Sequence, residues 1–337
     1  MNSKSRFIKF AKDHGVILEY AILFILACFI VPNFFSVSAV FTVIKQAAVP
    51  CVAVMGMMLV LTTGGIDLSL ANTVGLCSVV LGVLTVLQGW PAWIAIIITI
   101  LVGGLVGIMN GCIVQYLKVP AFIATTGSGY VIYGLAQIIG KGEQFNQLPE
   151  DLKAFGSSRT FEFIYKALPE NLQDVKFLKS FLRLPSYVWI AVIVVLLMYF
   201  VRHKTVYGRN LSAFGFNAKA ARLSGIKTSW LHVQTYMYCS MLVAMASVLL
   251  SIRAGCCQSN LGGLNYTFDI VTAAVVAGTS LFGGVSSVVN CVFGVFITKT
   301  LEVSINMLKV NYYLFKPCLG LVILIAIVLE AYKNRKL

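Results

Sequence analysis

Thr62-Thr63-Gly64-Gly65-Ile66-Asp67-Leu68-Ser69 interrupts a long, nearly uncharged apolar run, and Asp67 is the only acid between Glu19 and Glu143. Glycine pairs loosen a helix, and a carboxylate in a bilayer needs water or a partner. The stretch therefore reads as a break between membrane helices that something other than stability maintains. Working outward, the whole chain of 337 residues is 59% apolar and 11% charged. Soluble domains carry about 45–50% and about 25%. The chain is read as all-α, a polytopic membrane helix bundle forming one transmembrane domain over residues 1–337.

The net charge of +14 is spread over short segments beside apolar runs. That pattern marks membrane orientation and contact with lipid, and argues against nucleic acid. The nine cysteines are scattered without metal-ligand spacing and read as small apolar residues. The neighbours Cys256-Cys257 could bridge only with strain. No nucleophile elbow, zinc-protease motif or phosphate loop occurs, so the chain is not expected to be an enzyme, to bind a metal or to bind ATP itself.

Ten spans are expected, near residues 16–31, 41–61, 70–87, 92–117, 121–139, 187–201, 231–252, 270–284, 285–308 and 317–329. Gly103-Gly104, Gly107 and Gly111 allow one of them to approach a neighbour closely. Residues 1–15, 202–230 and 331–337 are basic, and the 202–230 segment holds no acid. All three are expected in the cytoplasm. Residues 140–186 mix acids and bases and suit an extracytoplasmic loop, in which Leu172, Val175, Leu178 and Leu182 recur at helical spacing. Thr62-Thr63-Gly64-Gly65 also resembles Leu281-Phe282-Gly283-Gly284 nearly five spans later. Two pseudo-related halves with discontinuous helices at Gly-Gly breaks are the expectation, and such breaks point to a transport path.

Three roles are open for Asp67. It caps the third span by accepting backbone N–H bonds; it binds a coupling cation or proton, as in a secondary transporter; or it touches solute. In the basic segment Asn217 is placed to cap a short helix through Leu223, which Gly225 ends. Ala220 and Ala221 make one face thin, a shape suited to docking in a partner's groove. Lys299 and Glu302 are three apart in the ninth span and are expected to pair.

Four stretches, taken together, resemble the permease subunit of ribose-type ABC sugar importers, the group serving ribose, galactose, xylose, arabinose and the furanosyl autoinducer. They are Thr63-Gly64-Gly65-Ile66-Asp67-Leu68-Ser69; Asn110-Gly111 followed by Val119-Pro120-Ala121-Phe122-Ile123-Ala124-Thr125-Thr126-Gly127; Gly208-Arg209 with Asn217 and Ala220 to Ile226; and Asp269 followed by Ala277-Gly278-Thr279-Ser280-Leu281-Phe282-Gly283-Gly284. The resemblance covers nearly the whole chain. It implies a bacterial inner-membrane permease that moves a sugar-like solute by alternating access. It further implies a second permease copy or paralogue, an extracytoplasmic sugar-binding protein, and a cytoplasmic ATP-binding cassette subunit that carries ATP-Mg. Carried over residue by residue, Gly215, Asn217, Ala221, Arg222, Leu223, Ser224 and Gly225 couple to the ATPase. Thr62, Thr63, Gly64, Gly65, Asp67, Ser69, Asn72, Thr279, Gly283 and Gly284 flank the path. The chain departs from the family at Tyr133 and Phe216, at Lys299 and Glu302 in a span usually uncharged, and in its longer external loop. A cation-coupled carrier and a non-transporting membrane interaction protein remain the rivals.

Overall fold

The computed structural model describes residues 15–169, 174–263 and 265–308, together with Pro317, Gly320, Leu321 and Leu324. The N-terminal segment through residue 14, the tail 331–337, most of the tenth span and Leu172 lie outside the described residues. Helices dominate, and seven of them are long and apolar enough to cross a membrane.

The first helix, α1 (Gly15–Ile30), is followed by α2 (Val37–Thr62), which starts where Ser36 Oγ accepts the Ala39 N–H at 3.2 Å. Almost every residue of α2 from Ala47 to Thr62 is buried, which makes it the central helix of the bundle. Next come α3 (Leu70–Gly82), extended by a π turn over Val83–Leu87, α4 (Ala92–Tyr116) and α5 (Ala121–Gly140). A second long helix, α12 (Thr228–Ala254), packs against both α2 and α4. The small residues of α4 explain the closeness: a Cβ at Gly107 would overlap the Tyr236 carbonyl oxygen, and one at Gly111 would lie 2.9 Å from Val233 Cα. Outward-facing Phe29, Leu105, Ile123 and Ile193 leave an apolar exterior suited to lipid.

The mixed-charge segment is a packed cap. It holds β1 (Phe145–Asn146), α6 (Glu150–Ser157), α7 (Glu162–Ala167) and α8 (Lys176–Leu182). Phe145, Leu148 and Leu152 are buried beneath it, because a loop this rich in apolar side chains can cover the helix ends. β1 pairs antiparallel with β2 (Cys256–Cys257), so this cysteine pair lies in a short ladder, not in a free loop. Of the helical spacing read from Leu172 to Leu182, the described residues show α8, with Leu182 turned into the core and Phe181 edge-on to Trp189 at 5.4 Å.

Chain then passes through α9 (Ser186–Lys204), α10 (Val206–Phe216) and α11 (Ala218–Leu223) before α12. The eighth span differs from expectation. Only α13 (Tyr266–Val276) is helical, residues 277–287 are irregular, and α14 (Val288–Met307) follows. Gly278, Gly283 and Gly284 all adopt positive φ (75°, 94° and 83°), which a helix cannot accommodate.

Candidate functional site

The first break is built by its own short side chains. α2 ends at Thr62, Gly64 takes φ 77°, and α3 begins after Ser69. Asp67 Oδ1 accepts the Ser69 backbone N–H at 2.9 Å and the Ser69 hydroxyl at 2.6 Å. Asp67 thus closes a turn just ahead of α3. The cap position itself is Ser69, whose side chain makes no capping bond. Asn110 Nδ2 donates to Ser69 Oγ at 2.9 Å. The Leu68 N–H donates to Thr125 Oγ1 at 3.0 Å, and the Ala71 N–H to Thr267 Oγ1 at 2.9 Å. Hydroxyls from α5 and α13 therefore accept the backbone N–H groups around the break that no helix bond satisfies, while Asn110 of α4 holds the Ser69 side chain. Asp67 is only 1% exposed, and among the described residues no cation lies within ion-pair distance of it.

The second break lies directly against the first. The Gly284 N–H donates to the Thr62 carbonyl oxygen at 2.9 Å, and the Thr62 and Ser286 hydroxyls are bonded at 2.7 Å. A Cβ at Gly283 would come 3.0 Å from Gly64 N and 2.9 Å from the Gly215 carbonyl oxygen. Two glycine pairs remote in sequence thus meet at one junction.

The third component is the segment after α9. α10 begins where Thr205 Oγ1 accepts the Gly208 N–H at 3.3 Å, and it ends in the junction. A Cβ at Gly215 would overlap both the Thr62 carbonyl oxygen and Gly284 N, and a Cβ at Gly284 would meet the Phe216 ring. Arg202, in the last turn of α9, is 9% exposed and ties α10 to the second break. Its Nε donates to Ser286 Oγ at 3.1 Å, Nη1 to the Gly208 carbonyl oxygen at 3.0 Å, and Nη2 to Ser212 Oγ at 2.6 Å. A planar guanidinium can hold three acceptors on two chain segments at once; an ammonium cannot do so in one plane.

Beyond the junction, Asn217 Oδ1 accepts the Ala220 N–H at 3.0 Å to start α11, and Gly225 at φ 85° ends the turn after it. Ala221 faces inward, while Lys219, Arg222, Ser224 and Leu223 (90% exposed) face out. Asn72 lines a different space, a cleft of about 450 Å³ walled by Leu68, Phe122, Tyr130, Tyr133 and Thr267. Thr63 Oγ1 bonds back to the Val60 carbonyl oxygen at 2.6 Å, and Gly65 lies under the Tyr236 hydroxyl. Thr279 is buried with its hydroxyl 3.3 Å from Cys291 Sγ. The residues expected to flank a path therefore split between the junction, the Asn72 cleft and buried positions. Arg202 and Ser212 were not singled out from sequence. Arg202 reads there as one more orienting base, and only its place at the end of an apolar helix hinted at burial.

Comparison with known proteins gives a consistent result. The family model described as "Branched-chain amino acid transport system / permease component" matches residues 39–328. The galactose/methyl galactoside import permease protein of Escherichia coli (strain K12) is 29% identical over 99% of this chain and 98% of its own. The ribose import permease protein of the same strain is 30% identical, covering 90% and 88%. The autoinducer 2 import system permease protein of Escherichia coli O9:H4 is 26% identical, covering 96% and 88%. No solved structure matches the chain.

Proposed function

The chain belongs to the family of transport-system permease components that matches residues 39–328, and on that premise we propose that it is the membrane-spanning subunit of an ABC importer for a sugar-like polar solute. The substrate class follows the relatives, whose names are those of galactose, ribose and autoinducer 2 import permeases. The single observation that carries the mechanism is the contact of Gly215 with both glycine breaks, beside the bond from Arg202 to Ser286 of the second. A push or pull on the 206–225 segment reaches the two places where membrane helices are interrupted, without passing through a deformable linker. Packed junctions of this kind switch between discrete arrangements.

In this reading the 202–230 segment and both termini face the cytoplasm of a bacterial cell, and the 140–186 cap faces outward. An ATPase subunit docks on the exposed side of α11 and supplies ATP-Mg; the permease holds no cofactor. A binding protein delivers solute at the cap, and a second permease copy or paralogue completes the path. The Asn72 cleft, with Tyr130, Tyr133 and Thr267, offers aromatic faces and hydroxyl partners of the kind that suit a sugar.

The test is reconstitution with the cognate ATPase. Leu223→Asp is expected to abolish co-purification of the ATPase while the permease still inserts. Uptake by the permease alone under an ion gradient would overturn the reading.

A further inference from the structure

At the end of the bundle away from Gly215, the last turn of α12, the start of α13 and the later half of α14 line, with Pro50 of α2, an open-sided polar cavity of about 330 Å³. Its walls carry Arg253, Asn265, Tyr266, Asp269, Lys299 and Glu302. Three features set it apart from an incidental void. Lys299 Nζ and Glu302 Oε2 pair at 2.7 Å inside a membrane helix, both side chains 19% exposed. An ion pair in such a place contributes little net stability compared with apolar side chains of the same size. Charges within a span mark solute or ion sites more often than they mark packing.

Second, Arg253 is held at the cavity by the backbone of α2. Pro50 has no N–H to offer the Gln46 carbonyl oxygen one turn earlier, and Arg253 Nη1 reaches that oxygen at 3.5 Å. Third, Tyr266 is 7% exposed, lines the cavity, and its hydroxyl has no hydrogen-bond partner among the described residues. A buried phenol left unpaired is destabilising, which a ligand hydroxyl or water would offset.

We propose that this cavity is a binding site for a neutral, polyhydroxylated solute of monosaccharide size. Two acids and two bases cancel formally, so a charged ligand would leave one like-charged pair unrelieved, whereas a hydroxyl donates to a carboxylate and accepts from a guanidinium or ammonium at once. The volume lies at the lower end for small-molecule sites. The site deepens the proposed function, and rests on it, by naming where the importer's solute is held at the outer end.

Two measurements separate the two readings. In detergent, the purified full chain is melted with and without D-galactose or D-ribose, and with D-glucuronate or D-glucosamine as charged counterparts. The neutral sugars are expected to raise the melting temperature by several degrees. That rise should disappear in Lys299→Met/Glu302→Leu, which removes the pair but keeps its bulk, and shrink in Tyr266→Phe. No rise, an equal rise in the double variant, or an equal rise with the charged sugars overturns the site. Uptake is then measured in proteoliposomes with the partner ATPase and binding protein, where the double variant should lose at least tenfold. Wild-type uptake failing while the melting shift holds would sink the importer reading alone; intact uptake in the double variant would sink the site.

Discussion

The backbone N–H of Gly284 donates to the Thr62 carbonyl oxygen at 2.9 Å, so the irregular stretch after α13 is bonded to the end of α2. That carbonyl is free because α2 stops there, and the donor is free because a residue at φ 83° cannot continue a helix. Each break supplies what the other lacks. Gly215 seals the pair from the side, with no room for a methyl group.

Gly215→Ala is therefore the most direct test of the junction. Its Cβ would strike backbone on two segments, where no flexible side chain can move aside. Overpacking of this kind costs about 1–3 kcal/mol. The expected outcome is a chain that inserts and binds its ATPase but transports roughly tenfold less per ATP hydrolysed, from paired uptake and hydrolysis measurements. Unchanged coupling would show that α10 moves independently of the breaks.

Arg202→Lys is expected to behave like a loss, not a conservative change. Lysine keeps the charge but cannot reach Ser286 Oγ, the Gly208 carbonyl and Ser212 Oγ from one planar group. Leaving a buried partner unsatisfied costs about 1–3 kcal/mol. The melting temperature in detergent should fall and coupling should weaken together. Arg202→Met with wild-type melting and transport would reduce Arg202 to an orienting charge.

Much of this architecture was legible in the residues. The spans at 92–116 and 121–140 are long, apolar and bounded by Pro91 and Pro120, so composition and helix-ending signals place them within a residue or two. The α11 cap is equally local, since Asn217 and Gly225 act on their own neighbours. The eighth span misled for a physical reason: residues 277–287 carry no charge and follow an apolar helix, and hydropathy does not register the positive φ of three glycines. The meeting of Gly64 with Gly283, and the burial of Arg202, depend on tertiary packing that no window of sequence contains. The glycine pairs could be seen as similar, but not as touching.

The β1–β2 ladder yields a pH test outside the membrane helices. Cys257 opposes Phe145 and is fully buried, and burial pushes its thiol from an ordinary 9.0 up to about 11, although hydroxyls at Ser251 and Ser78 pull the other way. The folded state thus favours the neutral thiol. Its contribution is intact below pH 9.0 and declines as pH climbs toward about 11, because the unfolded thiol ionises first. Iodoacetamide should label Cys257 slowly at pH 8 and faster only near the raised value, followed by peptide mass spectrometry. Rapid labelling at pH 8 would show that the ladder opens readily.

Asp67 gives the sharpest separation between architecture and transport chemistry. Its Oδ1 accepts two bonds from Ser69, and an asparagine carbonyl can accept the same two. Asp67→Asn is therefore expected to retain ATP-driven uptake within about twofold, because the turn before α3 survives without the charge. Asp67→Ala removes the acceptor, leaves Ser69 to find another partner, and should lower uptake at least tenfold, on the order of the 1.5–3 kcal/mol of a hydrogen bond to a charged group. Both variants need to be compared at equal membrane abundance. If Asp67→Asn assembles normally yet is inactive, or if uptake follows an imposed proton gradient in the wild type alone, the carboxylate itself takes part in transport and the junction is more than a hinge.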